Sequence, residues 1–250
     1  MGEPARRQLP DCNARYRDRS FWEARYREEG AAPAEWFGGL ECFRQQLEAE
    51  LSPTDRILVL GCGNSALSYN LYQLGYTDIT SIDYSAACIA SMQDYYAHCP
   101  ELQWVVMDAQ ALAFQDASFD VVLEKGTLDS MMVEETDPWH VSQEAKTLLE
   151  RVLTEVSRVL QPRGRFISIT FAQPHFRKCH YAQPAYGWST RHVMYGSGFH
   201  YFLYVMQKGE GLSPSDLALG RSLHSPLGAP TPICQLQDEE GENFLSTIEL

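Results

Sequence analysis

Residues 58–64 read LVLGCGN, a short apolar run that passes directly into a glycine-rich turn. A helical pattern starts just after the turn, at Ser65. Because glycine has no Cβ, such a turn lets the backbone approach a ligand closely at the start of a helix. The stretch therefore predicts a first strand, a ligand-binding turn and a first helix, although a G-x-G pattern alone occurs in many loops.

Apolar runs and helical patterns alternate on the C-terminal side of this turn. Helical patterns extend from Ser65 to Leu74, from Ser85 onwards and up to Val159. Around them, buried strands are predicted at residues 56–60, 79–82, 104–107, 119–123 and 165–171. Strands that alternate with helices at this spacing indicate a parallel sheet covered on both faces.

The last two predicted strands depart from that pattern. Residues 190–195 and 199–207 flank Gly-Ser-Gly at 196–198, which leaves no room for a crossover helix. A three-residue turn that contains glycine predicts an antiparallel hairpin. We therefore predict an α/β fold with a doubly wound, Rossmann-like sheet of seven strands, parallel except for an antiparallel C-terminal edge hairpin.

The 250 residues are enough for one well-buried core. We predict that residues 1–55 form a helical flank and a lid over the ligand, residues 56–210 the ligand-binding core, and residues 211–250 a C-terminal flank with an acidic tail. No segment approaches the roughly 18 apolar residues of a membrane span. The N-terminus also lacks the apolar stretch of a signal peptide.

Charge and cysteine usage narrow the function classes. The formal net charge is −13, which disfavours direct binding to nucleic acid and would instead steer a basic partner. The seven cysteines are scattered without a C-x-x-C pair, and the histidines lack metal-ligand spacing. We expect a cytoplasmic monomer that binds no metal, no nucleic acid and no membrane.

Two acidic residues at predicted strand ends indicate the ligand. Asp83 follows Gly61 by 22 positions, where a carboxylate can accept hydrogen bonds from two ribose hydroxyls. The alternative is a helix cap ahead of Ser85. Asp108 ends the third strand and can accept from an adenine amino group, while the backbone amide of Ala109 reaches a ring nitrogen. This pair and the edge hairpin favour S-adenosylmethionine over NAD.

The fourth predicted strand leads into EKGTLD, residues 124–129. Ligands of open α/β sheets lie outside the carboxyl ends of the strands, so this polar segment should face the reactive end of the cofactor. The alternative is a solvated loop in which Glu124 pairs with Lys125.

Three aromatic residues of the N-terminal flank, Trp22, Tyr26 and Trp36, are candidates for a lid. Aromatic faces attract cations, and a methyl donor of this kind carries a sulfonium charge. Packing within the core is the alternative for these side chains.

The segments ILVLGCGNSALS, SIDYS, VMDA, FDVVLEKGTLD and GWSTRHVMYGSGFHYFLYVMQKG together resemble the seven-β-strand methyltransferases that modify translation elongation factor 1-alpha. The resemblance extends from about Tyr16 to the C-terminus and implies that residues 124–129 are needed for activity. It also implies cofactor contacts at Trp22, Tyr26, Trp36, Gly61, Asp83, Tyr84, Asp108, Ala109 and Lys125.

The sequence and the resemblance together predict an S-adenosylmethionine-dependent protein-lysine methyltransferase that acts on elongation factor 1-alpha. Methyl transfer mainly requires alignment of nitrogen, carbon and sulfur, and burial in an aromatic channel helps the lysine to lose its proton. Glu124 and Asp129 are candidates for holding the amine. The alternatives are a small-molecule methyltransferase, a non-catalytic cofactor-binding partner and an NAD-dependent oxidoreductase, the last disfavoured by Asp108 and the hairpin.

Overall fold

The computed structural model of the protein describes residues 10–30, 32–137 and 140–224. These residues form one seven-stranded sheet in the order β3-β2-β1-β4-β5-β7-β6. The strands are β1 (Ile57–Leu60), β2 (Ile79–Asp83), β3 (Gln103–Val106), β4 (Phe119–Lys125), β5 (Leu160–Thr170), β6 (Trp188–Tyr195) and β7 (Tyr201–Lys208). Strands β1 to β5 pair in parallel, whereas β7 is antiparallel to both β5 and β6. The predicted mixed α/β sheet with its edge hairpin is confirmed.

Helices cover both faces of this sheet. They are α1 (Arg19–Glu29), α2 (Arg44–Glu48), α3 (Leu67–Gln73), α4 (Ala86–Tyr95), α5 (Thr127–Met131), α6 (Gln143–Val159), α7 (Pro174–Tyr181) and α8 (Pro214–Ser222). Successive side chains of a strand point to opposite faces. Accordingly, Ile57 and Val59 pack with α3 and α4, whereas Leu58 and Leu60 pack with α6.

The parallel register brings the carboxyl ends of the central strands to one edge. Leu60 pairs with Ile82 on one side and with Glu124 on the other. Lys125 in turn pairs with Ile169. The turn after β1, the end of β2 and the segment after β4 therefore meet at the same edge of the sheet.

Several element boundaries differ from the prediction. Strand β4 continues through Glu124 and Lys125, so both residues lie within the sheet and only Gly126 begins the turn. Strand β5 begins at Leu160, five residues before the predicted strand, so Pro162 lies inside it. Prolines are tolerated in a strand where no ladder hydrogen bond is required of their nitrogen.

The N-terminal flank is less helical than predicted. Among residues 10–30 and 32–55, only α1 and the short α2 are α-helical, and residues 32–39 form an irregular connection along the edge of the sheet. This connection is fixed to the turn after β1, because the amide of Ala34 donates to the carbonyl of Asn64 (3.1 Å) and the side chain of Asn64 donates to the carbonyl of Ala32 (2.9 Å).

The predicted acidic tail lies outside the described residues, as do the first nine residues. In the part of the chain that the structure describes, none of the helices combines the length and the apolar character needed to cross a bilayer.

Candidate active site

A cavity of about 610 Å³ opens at the carboxyl edge of the central strands. Its wall includes nine of the eleven residues predicted to form the site: Trp22, Tyr26, Trp36, Gly61, Asp83, Tyr84, Ala109, Lys125 and Asp129. Asp108 and Glu124 are not part of that wall. The strand ends, the turn after β1 and the N-terminal flank thus form one continuous site.

The glycine-rich turn is held tightly against the protein's own side chains. Gly61 and Gly63 have φ angles of +58° and +51°, in the left-handed region that favours glycine. A Cβ on Gly61 would lie 2.3 Å from Oγ1 of Thr127, and a Cβ on Gly63 would lie 2.8 Å from the hydroxyl of Tyr26. The glycines are therefore required by the packing of the turn as well as by any close ligand.

Asp83 ends β2, and its buried carboxylate is held by two backbone amides. It is only 7% exposed, and its Oδ2 accepts from the amide of Gly63 (3.1 Å) while its Oδ1 accepts from the amide of Ser85 (2.9 Å). Burial raises the pKa of Asp83 to about 6, against the lowering effect of these two hydrogen bonds. Ser85 in turn caps α4 by accepting from the amide of Cys88 (3.1 Å).

Asp108 lies at the margin of the cavity. It is half-buried, and its Oδ1 accepts from the amide of Gln110 at 2.9 Å. Its neighbours Met107 and Ala109 both belong to the cavity wall. The end of β3 therefore contributes to the site mainly through the residues on either side of this carboxylate.

The aromatic residues of the flank pack on each other and also line the cavity. The ring centroids of Trp22 and Tyr26 are 5.6 Å apart, and those of Trp22 and Trp36 are 6.3 Å apart. The guanidinium of the buried Arg25 lies 5.4 Å from the Trp22 ring and 5.8 Å from the Trp36 ring. The rings of Trp22 and Trp36 thus already contact one cation, the guanidinium of Arg25. The same aromatic side chains both pack within the flank and line the cavity.

Lys125 connects the sheet to the N-terminal flank. Its Nζ donates to Oε2 of Glu35 (2.7 Å) and to the carbonyl of Trp36 (2.9 Å). Glu35 also accepts from the hydroxyl of Ser65 and the amide of Ala66, both at 2.8 Å. The alternative in which Lys125 pairs with Glu124 in a solvated loop is wrong, because neighbouring strand residues point to opposite faces. Sequence reasoning missed Glu35, since no local pattern links residues 90 positions apart.

The sequence predicted that Glu124 belongs to the polar segment 124–129 at the reactive end of the cofactor. In the structure its side chain is fully buried. Its Oε2 accepts from the amides of Thr127 (3.0 Å) and Leu128 (3.3 Å), and its other oxygen accepts from the hydroxyl of Ser168. Burial, and then the nearby carboxylate of Asp129, raise the pKa of Glu124 to about 7. Glu124 therefore supports the start of α5, and a contact with the acceptor amine does not fit its position.

Asp129 lines the cavity and forms a buried ion pair that the sequence did not predict. Its Oδ1 is 2.8 Å from Nη2 of Arg177, on α7, and accepts from the hydroxyl of Thr170 at 2.5 Å. Asp129 and Arg177 are 8% and 3% exposed. Oδ2 of Asp129 is buried and has no hydrogen-bond partner among the described residues. The ion pair thus leaves one buried carboxylate oxygen without a hydrogen-bond partner among the described residues.

Three comparisons with known proteins identify the family. Residues 51–210 match a family model described as a methyltransferase domain. The chain is 55% identical over 244 residues to EEF1A lysine methyltransferase 4 of Bos taurus, with 97% of this chain and 96% of the relative covered. It is 39% identical over 173 residues to the eEF1A lysine and N-terminal methyltransferase of Homo sapiens, covering 68% of this chain and 24% of that one. The chain belongs to the EEF1A lysine methyltransferases.

Solved structures agree with this family at the level of the fold. The PH0226 protein of Pyrococcus horikoshii OT3 has a TM-score of 0.51 at 20% identity, covering 68% of this chain and 89% of that one. TrmN of Thermus thermophilus has a TM-score of 0.50 at 16% identity, covering 66% and 47%. The family model thus shows a methyltransferase domain, and the solved structures show the same fold.

Proposed function

We propose that this methyltransferase transfers a methyl group from S-adenosylmethionine to a lysine side chain of translation elongation factor 1-alpha. The observation that carries the proposal is the buried, unpartnered Oδ2 of Asp129, a residue that lines the same cavity as the glycine-rich turn and Asp83. A buried carboxylate oxygen without a partner is costly unless a ligand donates to it. A lysine amine can donate such a hydrogen bond.

Nine residues would hold the cofactor: Trp22, Tyr26, Trp36, Gly61, Asp83, Tyr84, Asp108, Ala109 and Lys125. The two glycines of the turn and the mostly apolar wall fit a nucleoside whose arm carries a sulfonium. Asp83 would accept from the ribose hydroxyls with the lone pairs that its two backbone contacts leave free, because a carboxylate has about four acceptor positions. Residues 1–55 would then serve as the lid, 56–210 as the core and 211–250 as the C-terminal flank.

When bound, the donor supplies a methyl carbon whose bond to sulfur breaks, with both electrons passing to sulfur, as the lysine nitrogen forms the new bond to carbon. Asp129 would accept an N–H of the amine and so orient the nitrogen lone pair away from itself. Phe171, Phe176 and Phe199 line the cavity, and apolar side chains around the amine would disfavour its ammonium form. The proton of the methylated product passes to solvent, and no strong general base is needed.

The substrate assignment rests on two kinds of support. The relatives that cover nearly the whole chain carry a name that specifies EEF1A lysine methylation. The net charge of −13 also suits a basic protein partner, and it disfavours nucleic acid. We further propose a cytoplasmic monomer that acts without a metal ion and without membrane association.

The test combines purified enzyme, labelled donor and purified elongation factor 1-alpha, and then locates the methyl group by mass spectrometry. Asp129→Asn is the matched variant, since it keeps the shape of the side chain and removes its charge. We expect incorporation on lysine by the wild-type enzyme, and a much smaller rate in the variant with little change in donor affinity. Methylation of small molecules alone would contradict the substrate, and a fully active variant would contradict the role of Asp129.

A further inference from the structure

We propose that Arg177 neutralises Asp129 in the acceptor site, so that the target lysine is held as a neutral amine instead of being trapped as an ammonium ion. This inference rests on the proposed function, because it concerns the residue that would hold the acceptor amine. Arg177 acts through Asp129 and is therefore a positioning residue.

The contacts of the ion pair give the two carboxylate oxygens of Asp129 different surroundings. Nη2 of Arg177 and the hydroxyl of Thr170 both donate to Oδ1 of Asp129, which leaves the buried Oδ2 as the oxygen without a hydrogen-bond partner in the described part of the chain, in a residue that lines the cavity. Nη1 of Arg177 contacts Sδ of Met132 at 3.1 Å, and Met132 also lines the cavity. The guanidinium is thus fixed on one side of the carboxylate, and the free oxygen is fixed on the other.

The other titratable groups that face this pair carry little positive charge. Burial raises the pKa values of Tyr181 and Tyr204, so both phenols are neutral. Burial and the charge of Arg177 lower the pKa of His180 to about 3, so this histidine is neutral too. Glu124, with its pKa raised to about 7, adds a partial negative charge. Among the described residues that face Asp129, Arg177 is therefore the cation that balances the carboxylate.

The balance of charge between Arg177 and Asp129 matters because the attacking lysine nitrogen must be neutral. An isolated carboxylate in a buried site would stabilise the ammonium form of a nearby lysine and raise its pKa above about 10.4. The attraction is stronger in a site from which water is excluded. An ammonium nitrogen has no lone pair, so such an ion pair would bind the substrate well and react slowly. A guanidinium on the opposite side of the carboxylate offsets that attraction and leaves a hydrogen-bond acceptor.

The inference is tested by the pH dependence of single-turnover methyl transfer to elongation factor 1-alpha, which reports ionisation within the bound complex. Arg177→Met should move the midpoint of the rise in rate to higher pH by about one unit, with a rate about tenfold lower at pH 7.5. Arg177→Lys, which keeps the charge, should restore the midpoint. Thr170→Val is the matched control, since it removes the other donor to Oδ1 without changing any charge and should leave the midpoint in place.

Asp129→Asn supplies a second measurement. Unlike Arg177→Met, it does not leave the carboxylate of Asp129 buried without its counter-ion. It leaves Arg177 without its counter-charge, so the midpoint should move to lower pH, although the rate is reduced. Calorimetry with S-adenosylmethionine checks that donor affinity is retained in every variant. A slower Arg177→Met enzyme with an unshifted midpoint, or an unshifted midpoint in Asp129→Asn, would overturn the inference while leaving the proposed function in place. A wild-type enzyme that transfers nothing to elongation factor 1-alpha would overturn both.

Discussion

Replacement of Asp83 by alanine tests the link between the buried carboxylate and the cofactor. The substitution leaves the amides of Gly63 and Ser85 without their acceptor, at a cost of about 1–3 kcal/mol each. It also removes a desolvated charge. A rise in pKa from 3.8 to about 6 corresponds to roughly 3 kcal/mol of destabilisation of the ionised native state. Because the two effects oppose each other, we expect the free energy of unfolding at pH 7 to fall by no more than about 3 kcal/mol.

The same pKa shift sets the sign of the pH dependence. Because folding raises the pKa of Asp83, the carboxyl contributes most to stability below its unfolded pKa, and that contribution is lost as pH rises from 3.8 through about 6. The Asp83→Ala variant lacks this loss. Urea denaturation at pH 4 and pH 7 should therefore show a larger stability deficit of the variant at pH 4. A larger deficit at pH 7 would refute the reasoning.

Binding should respond differently from stability. Loss of charge-assisted hydrogen bonds to ribose should weaken S-adenosylmethionine binding by about 1.5–3 kcal/mol, roughly 10- to 150-fold. Isothermal titration calorimetry at pH 7 measures this directly, and circular dichroism shows whether the variant is folded. Unchanged affinity in a folded variant would remove Asp83 from the ribose contact.

Three further substitutions test the surroundings of the cavity. Lys125→Met breaks the buried ion pair with the N-terminal flank and should cost about 3 kcal/mol, seen as a fall in Tm of about 6–12 °C; an unchanged Tm would contradict the importance of the pair. Gly61→Ala combines a left-handed φ with a contact of 2.3 Å and should cost more than about 2 kcal/mol in urea denaturation. Gly187→Ala is its control, with φ +66° but no atom within 4 Å of the added Cβ, so equal losses at the two positions would show that the contact is irrelevant. Trp36→Ala should weaken calorimetric binding of S-adenosylmethionine and of its demethylated product alike, because Arg25 already lies 5.8 Å from this ring; a loss confined to the donor would show that the ring favours the sulfonium.

Much of the fold was predictable because its signals are local. The alternation of apolar runs and helices indicated the parallel sheet, and the glycines at 196 and 198 indicated the hairpin between β6 and β7. The turn after β1 and Asp83 could be assigned to one edge, because parallel strands end together. These features depend on hydrophobic periodicity and on turn residues, and both can be recognised from a residue and its neighbours in the sequence.

The contacts that complete the site depend on residues far apart in the chain. Glu35 meets Lys125 and Arg177 meets Asp129, 90 and 48 positions away, and no local pattern encodes such pairs. The position of Glu124 was misjudged for a different reason. Extending β4 by two residues places Glu124 inside the sheet, and the alternation of the strand then directs it away from Lys125.

Because Gly61 lies so close to Thr127, the glycine-rich motif indicates the packing of the strand edge and is not by itself a sign of methyl transfer. A side chain at position 61 would collide with the hydroxyl that donates to the carbonyl of Leu60 at 2.9 Å, whether or not a donor molecule is bound. During divergence, this glycine is therefore retained by the architecture of the strand edge even if methyl transfer is lost. Under the role proposed for Asp129, a related chain that keeps the turn but has lost Asp129 or Arg177 is therefore expected to be a pseudoenzyme, and this ion pair would mark activity better than the turn does.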